Sequence, residues 1–301
     1  MFKHILVPLD GSALAEAALP VAVNLARKFD ARLTLLHVIE RHAPATVHGA
    51  RHLGRADEAE AYLQNLRRHI KPADGTVICH VHDTEETDVA RSIVAHEHEF
   101  APDLIVLCAH GHSGLRGRLF GRIAEQVVAA GRVPVLLLRP RTPAPPPATL
   151  WGKFLVPVDG SAEHEVSLCA AEGLALVTGA ALELVFVVPT TATLAGPQAA
   201  AGQLLPGAAR AMLDLASEQA RLYVQQQADR MQRSNLKVTG QVLRGDPATT
   251  LLQVLRKSDA TLLVLATHGH AGLGAFWAAS VAPRVLTQTE LPTLLVPVRR
   301  G

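Results

Sequence analysis

The sequence predicts an α/β protein built from two tandem doubly wound domains, each a five-stranded parallel sheet with helices on both faces. Three observations carry this: an internal duplication, short apolar runs of strand length, and amphipathic segments alternating with those runs. His4-Ile5-Leu6-Val7-Pro8-Leu9-Asp10-Gly11-Ser12 returns as Lys153-Phe154-Leu155-Val156-Pro157-Val158-Asp159-Gly160-Ser161. Ala109-His110-Gly111-His112 returns as Thr267-His268-Gly269-His270. At 301 residues the chain is long enough for two ordinary cores.

In the first copy, runs at 3–9, 32–39, 104–109 and 134–138, with a weaker one at 76–82, read as strands buried on both faces. Ser12 is a candidate N-cap. From it Ala15, Ala18, Ala22, Leu25, Ala26 and Phe29 recur at helical spacing, so one helix is expected there. Further helices are expected at about 55–70, 88–99 and 121–131. Strand–helix alternation implies right-handed parallel crossovers, with a ligand crevice at the carboxyl ends of the strands where their order reverses. If the first and fourth strands flank that point, Asp10-Gly11-Ser12 and His110-Gly111-His112 share one crevice, and Asp159 and His268-Gly269-His270 another.

The copies are offset by 149 residues at Asp10 and Asp159 but by 158 at Gly111 and Gly269, so the second carries nine extra residues. The Pro/Gly-rich stretch 189–207 is the expected place for them, as a loop able to cover a pocket. Arg139-Pro140-Arg141-Thr142-Pro143-Ala144-Pro145-Pro146-Pro147 reads as a semi-rigid spacer. The expected boundaries are therefore 1–140 and 151–301, with a linker at 141–150.

Charge excludes one function class. The 29 basic and 27 acidic residues leave a formal net charge of +2 with no basic block, so no nucleic acid partner is expected. Cys79, Cys108 and Cys169 form no metal or disulfide spacing. The N-terminal run reaches Pro8 and Asp10 too soon for a signal h-region or a membrane span, so a cytoplasmic protein without a membrane partner is expected.

Val-Pro-x-Asp-Gly-Ser ending the first strand and His-Gly-His-x-Gly after the fourth resemble the universal stress proteins, over nearly the whole chain and twice. The resemblance implies a Rossmann-like domain of the adenine nucleotide alpha-hydrolase type that binds ATP, ADP or AMP in a stress or signalling role. The family's ATP-binding members carry Gly-x-x-Gly, nine residues, then Gly and a hydroxyl residue, where glycines admit phosphate to backbone N–H groups. The first copy keeps Gly111 and Gly121 but has Cys108 and Arg122 at the other two positions. The second keeps Gly269 and Ser280 but has Ala266 and Ala279.

By the same resemblance, Pro8, Asp10 and Val38 border adenine and ribose in one copy, and Pro157, Asp159 and Val187 in the other. Gly111, His112, Gly114 and Gly121, and Gly269, His270, Gly272 and Ser280, surround the phosphates; His110 and His268 beside the glycines either donate to phosphate or only shape the turn, and Arg122, where the family has a hydroxyl residue, either clamps phosphate or fills its site. An Asp at a strand end can also hold Mg²⁺, or simply orient the following turn.

Twelve of the 15 histidines fall in the first copy. Of Cys79-His80-Val81-His82 and His96-Glu97-His98, only His80 and His82 are spaced to chelate together, on one strand face, and no third ligand is evident, so no metal centre is expected. No triad or paired carboxylates suggest dedicated catalysis; slow ATP hydrolysis is the most that is expected. A non-catalytic interaction scaffold with degenerate pockets is the alternative. The apolar edges 135–138 and 293–296 are expected to pair within the chain as a pseudo-dimer, with a further homodimer open.

Overall fold

The computed structural model describes residues 1–70, 76–108, 121–139, 147–194, 200, 203–267 and 281–298. They fall into two compact units, and the one that contains the first repeat also takes in the chain's last strand.

The first unit runs β1 (His4–Pro8), α1 (Ala13–Glu16), α2 (Leu19–Phe29), β2 (Arg32–Glu40), β3 (Thr46–Val47), β4 (Ala50–Arg51), α3 (Ala56–His69), β5 (Val77–Glu86), α4 (Val89–Phe100), β6 (Leu104–Cys108), α5 (Arg122–Ala130) and β7 (Val135–Leu138). The parallel order is β5-β2-β1-β6-β7, through His4↔Arg32, Ile5↔Leu104, Leu33↔Val77 and Ile105↔Val135. Chain order reverses between β1 and β6, so the carboxyl ends of those strands open the expected crevice. Ile5, Leu6, Val7, Ile105 and Val106 are fully buried there, as strands covered on both faces must be.

Three expectations change in detail. The helix expected from Ser12 to Phe29 is broken into α1 and α2. Pro20 has no N–H for the carbonyl of Glu16, and the second helix starts afresh at Leu19 with Pro in its first turn. The hairpin β3–β4 was not expected; its turn, His48-Gly49, has φ of 49° and 82°, the positive pair that a two-residue hairpin turn needs.

The third change concerns the second unit, which runs β8 (Lys153–Val158), α6 (Glu165–Thr178), β9 (Ala181–Val188), α7 (Pro206–Gln232), β10 (Val238–Arg244), α8 (Pro247–Lys257), β11 (Leu262–Thr267) and α9 (Val281–Leu286), followed by β12 (Thr293–Pro297). Its parallel order is β10-β9-β8-β11. The extra residues of this repeat lie in α7, not in the preceding loop. α7 has 27 residues where α3 has 14, and both begin at nearly the same distance after the preceding strand.

β12 joins the sheet of the first unit as an antiparallel strand on β7, in the register Thr293↔Leu137, Leu294↔Leu136 and Leu295↔Val135. The pairing expected for 135–138 and 293–296 is therefore present. It buries both strands and removes an apolar edge.

Candidate functional site

At the carboxyl ends of β1, β2 and β6 lies a cavity of about 390 Å³. Of the residues named from the sequence, it gathers Pro8, Asp10 and Val38 with Gly121 and Arg122. The strands place them: Pro8 ends β1, and Val38 lies on β2 two residues from the end of its register with β1. Leu36, Leu107, Val89 and Ile93 add apolar wall. His110, Gly111, His112 and Gly114 lie outside the described residues.

Asp10 shapes the turn as well as lining the cavity. Its Oδ1 accepts from the Ser12 amide (2.9 Å) and hydroxyl (2.6 Å). Ser12 Oγ in turn accepts from the Ala15 amide (3.1 Å), so the expected N-cap holds, for the short α1. His48 Nε2 stands 3.8 Å from Asp10 Oδ2. Oδ1 thus orients the turn, one of the two roles expected of Asp10, while the residue also lines the cavity.

Gly121 has φ of 85°, which an L side chain rarely adopts, and it caps α5 without a side-chain bond. The first-turn N–H groups of α5 belong to Arg122, Ile123 and Ala124, all of which line the cavity, so a helix N-terminus with its partial positive charge faces the space. Cys108, at the first glycine position of the motif, ends β6 in extended backbone, where a Cβ costs little. Burial, reinforced by the nearby Asp10 carboxylate, pushes the Cys108 thiol up to about 12, so it is no nucleophile.

Sequence reasoning missed the wall supplied by the segment between β2 and α3. Val47, His48 and His52 line the cavity; among the described residues neither ring nitrogen of the part-buried His52 has a hydrogen-bond partner, and Glu40 Oε2 stands 4.0 Å from its Nε2. His37, 1% exposed, fixes this segment: its ring nitrogens reach the carbonyls of Leu9 (2.8 Å) and Leu53 (3.1 Å). The only available signal was the His48-Gly49 dipeptide as a hairpin turn.

In the second unit, Pro157 lies near the end of β8, Asp159 follows that strand, and Val187 is on β9. Asp159 Oδ1 repeats the turn, accepting from the Ser161 amide (3.0 Å) and hydroxyl (2.8 Å), while Oδ2 meets His164 Nδ1 at 2.5 Å. Burial opposes its charge. The bonds from His164 and Ser161 nevertheless hold Asp159 down at about 2, and the Asp159 bond raises His164. His268, Gly269, His270, Gly272 and Ser280 lie outside the described residues.

The expectation that His80 and His82 lack a third partner is corrected by the structure: His96 from α4 packs against both. Among the described residues no helix is long and apolar enough to cross a membrane.

Comparison with known proteins covers both repeats. The family model described as "Universal stress protein family" matches residues 1–139 and again 151–297. Universal stress protein YxiE of Bacillus subtilis is 29% identical over 151 residues, which is 46% of this chain and 100% of that protein. A universal stress protein of Methanocaldococcus jannaschii is 28% identical over 141 residues, 46% of this chain and 83% of its own. Among solved structures, a universal stress protein from Archaeoglobus fulgidus has a TM-score of 0.69 at 16% identity, covering 98% of this chain and 96% of that one, a likeness of fold.

Proposed function

Because the chain belongs to the universal stress protein family, we propose that its first unit binds an adenine nucleotide in the cavity at the ends of β1, β2 and β6, and that the protein acts in stress response or signalling. The observation that carries this reading is the convergence of Pro8, Asp10, Val38, Gly121 and Arg122 on one cavity of about 390 Å³, within the range of small-molecule sites. The residues fit the group chemically. Val38, Leu36, Val89 and Ile93 offer the apolar slot a purine needs, and the His52 ring, whose nitrogens make no hydrogen bond among the described residues, offers a donor and an acceptor to its polar edge.

Asp10 has Oδ2 for a ribose hydroxyl or for Mg²⁺, and the N-terminus of α5, which no side chain among the described residues caps, suits phosphate, with the Arg122 guanidinium able to clamp it. In the second unit a nucleotide at Pro157, Asp159 and Val187 would have to displace His164 from Asp159. We therefore assign binding to the first unit. The chemistry assigned to this cavity is binding.

The test is the nucleotide released on denaturing purified protein, together with the thermal shift produced by Mg-ATP, Mg-ADP and AMP. Retention or a shift that Asp10→Ala and Val38→Trp abolish supports the reading; no nucleotide and no shift with any of the three overturns it.

One observation favours a second reading, an interaction scaffold. Leu205, Met212, Leu215 and Leu222, at the start of α7 and along it, are all more than half exposed. A partner that copurifies with the wild type and is lost with Leu215→Glu and Leu222→Glu would support it.

A further inference from the structure

His80, His82 and His96 come together on the face of the first unit's sheet that α4 covers. One potential ligand atom from each lies within 4.8 Å of the others. His80 and His82 share a strand face as alternate residues of β5, opposite Leu36 and Val38 of β2. His96 is 3% exposed, and its Nε2 stands 3.2 Å from Nε2 of His80.

Protons decide what this contact means. His96 Nδ1 donates to the Ser92 carbonyl at 2.7 Å, which leaves Nε2 of the neutral ring as a lone pair. That lone pair faces not only His80 but also Glu99 Oε2, 3.5 Å away, a second acceptor. The proton of a neutral His80 serves the lone pair alone, whereas a divalent ion would satisfy both the lone pair and the carboxylate. Tetrahedral donors at ~2.0–2.1 Å from zinc are about 3.3 Å apart, and the His80–His96 and His96–Glu99 separations of 3.2 and 3.5 Å both match that spacing.

The surroundings are those of a ligand shell. The carbonyl of Ser92 sets the tautomer of His96, and Glu86, 3.2 Å from His82 Nε2, orients that ring, as outer partners of metal-bound imidazoles do. Phe100 stacks on His96 at 11° and meets His80 edge-on, walling the cluster with apolar surface.

We propose that His80, His82 and His96, with the Glu99 carboxylate as fourth ligand, form a binding site for a borderline divalent transition ion, Zn²⁺ foremost. On binding, the proton that His80 presents to His96 on Nε2 shifts to Nδ1, freeing the lone pair for the ion. His82 closes from within 4.8 Å to the tetrahedral spacing of about 3.3 Å, which its position on an edge strand allows. The ion would staple β5 to α4, and it makes no use of the nucleotide cavity.

The test uses the full chain, stripped by a chelator and titrated with Zn²⁺ against a chromophoric competitor, and with Co²⁺ to read geometry from its visible spectrum. One tight Zn²⁺ per chain and a tetrahedral Co²⁺ spectrum are expected. His82→Ala and His80→Gln should each weaken Zn²⁺ at least about tenfold, while His98→Ala, exposed on the other side of α4, leaves affinity unchanged. Glu99→Gln, an exposed change that leaves the core intact, should also weaken Zn²⁺ and keeps the question decidable if a histidine variant does not fold. Equal affinity in the wild type and the His80→Gln/His82→Ala double variant, or no octahedral-to-tetrahedral change with Co²⁺, overturns the site.

Discussion

Leu53 Cδ1 lies 2.8 Å from the point where a Cβ on Gly11 would stand. The turn that follows β1 and the segment that walls the cavity are therefore packed without room between them. His37 ties the same two segments from below, through the carbonyls of Leu9 and Leu53.

Gly11→Ala should consequently act twice. Its φ of 86° strains any L side chain by about 1–2 kcal/mol, and the new methyl group must push Leu53 aside. Gly49→Ala, at φ of 82° with nothing within 4 Å, separates the terms, since it carries the backbone strain alone. We expect Gly11→Ala to destabilise more than Gly49→Ala in urea denaturation and to weaken nucleotide binding as well. Equal costs would show that the Leu53 contact yields freely.

Acidification should destabilise the first unit through its buried histidines. His4 Nδ1 donates to the Phe100 carbonyl (2.9 Å) and Nε2 bonds the Thr34 hydroxyl (2.7 Å), contacts that the neutral ring satisfies in full. Burial holds His4 and His37 below 6.5. As pH falls through 6.5 the unfolded chain takes up protons that the folded one refuses, so stability declines. The slope of unfolding free energy against pH below 6.5 should be flatter in His37→Gln; an unchanged slope would remove His37 from this account.

The Asp159–His164 pair behaves differently. His164 is raised, so its contribution is complete below 6.5 and is lost as pH rises through its folded value; Asp159, held at about 2, contributes above 3.8 and loses that as pH falls toward 2. The coupling should be greatest between about pH 4 and 6.5. Because Asp159 is half exposed, screening limits it to about 0.5 kcal/mol. A double-mutant cycle with Asp159→Asn and His164→Gln measures it, and a coupling that grows above pH 8 would contradict the assignment.

Asp246 caps α8 by accepting from the Thr249 amide (3.0 Å) and receives both terminal nitrogens of Arg284 from α9 (2.8 and 3.0 Å). Asp246→Ala should cost about 1 kcal/mol from the lost cap alone. Asp246→Asn, which keeps an acceptor oxygen but not the charge, should recover most of the cap and little of the Arg284 coupling, as read by urea titration at low and high salt.

The sequence by itself determined the duplication, the strand–helix alternation, the strand-end positions of Pro8 and Asp10, and the glycine at 121 that opens a helix. These follow from local pattern: apolar runs, an Asp-Gly-Ser turn and a glycine spacing are legible wherever the chain is read. It also determined that β7 and β12 would need partners, because their edges are apolar. What lay outside local pattern was decided only by the tertiary structure. His96 is 14 residues from His82 in sequence and meets it only because α4 folds back over β5; His52 and Leu53 reach the cavity only because His37 pins their segment to the end of β1. The nine extra residues of the second repeat became helix, since composition marks where a loop can start but packing against β10 decides where a helix stops.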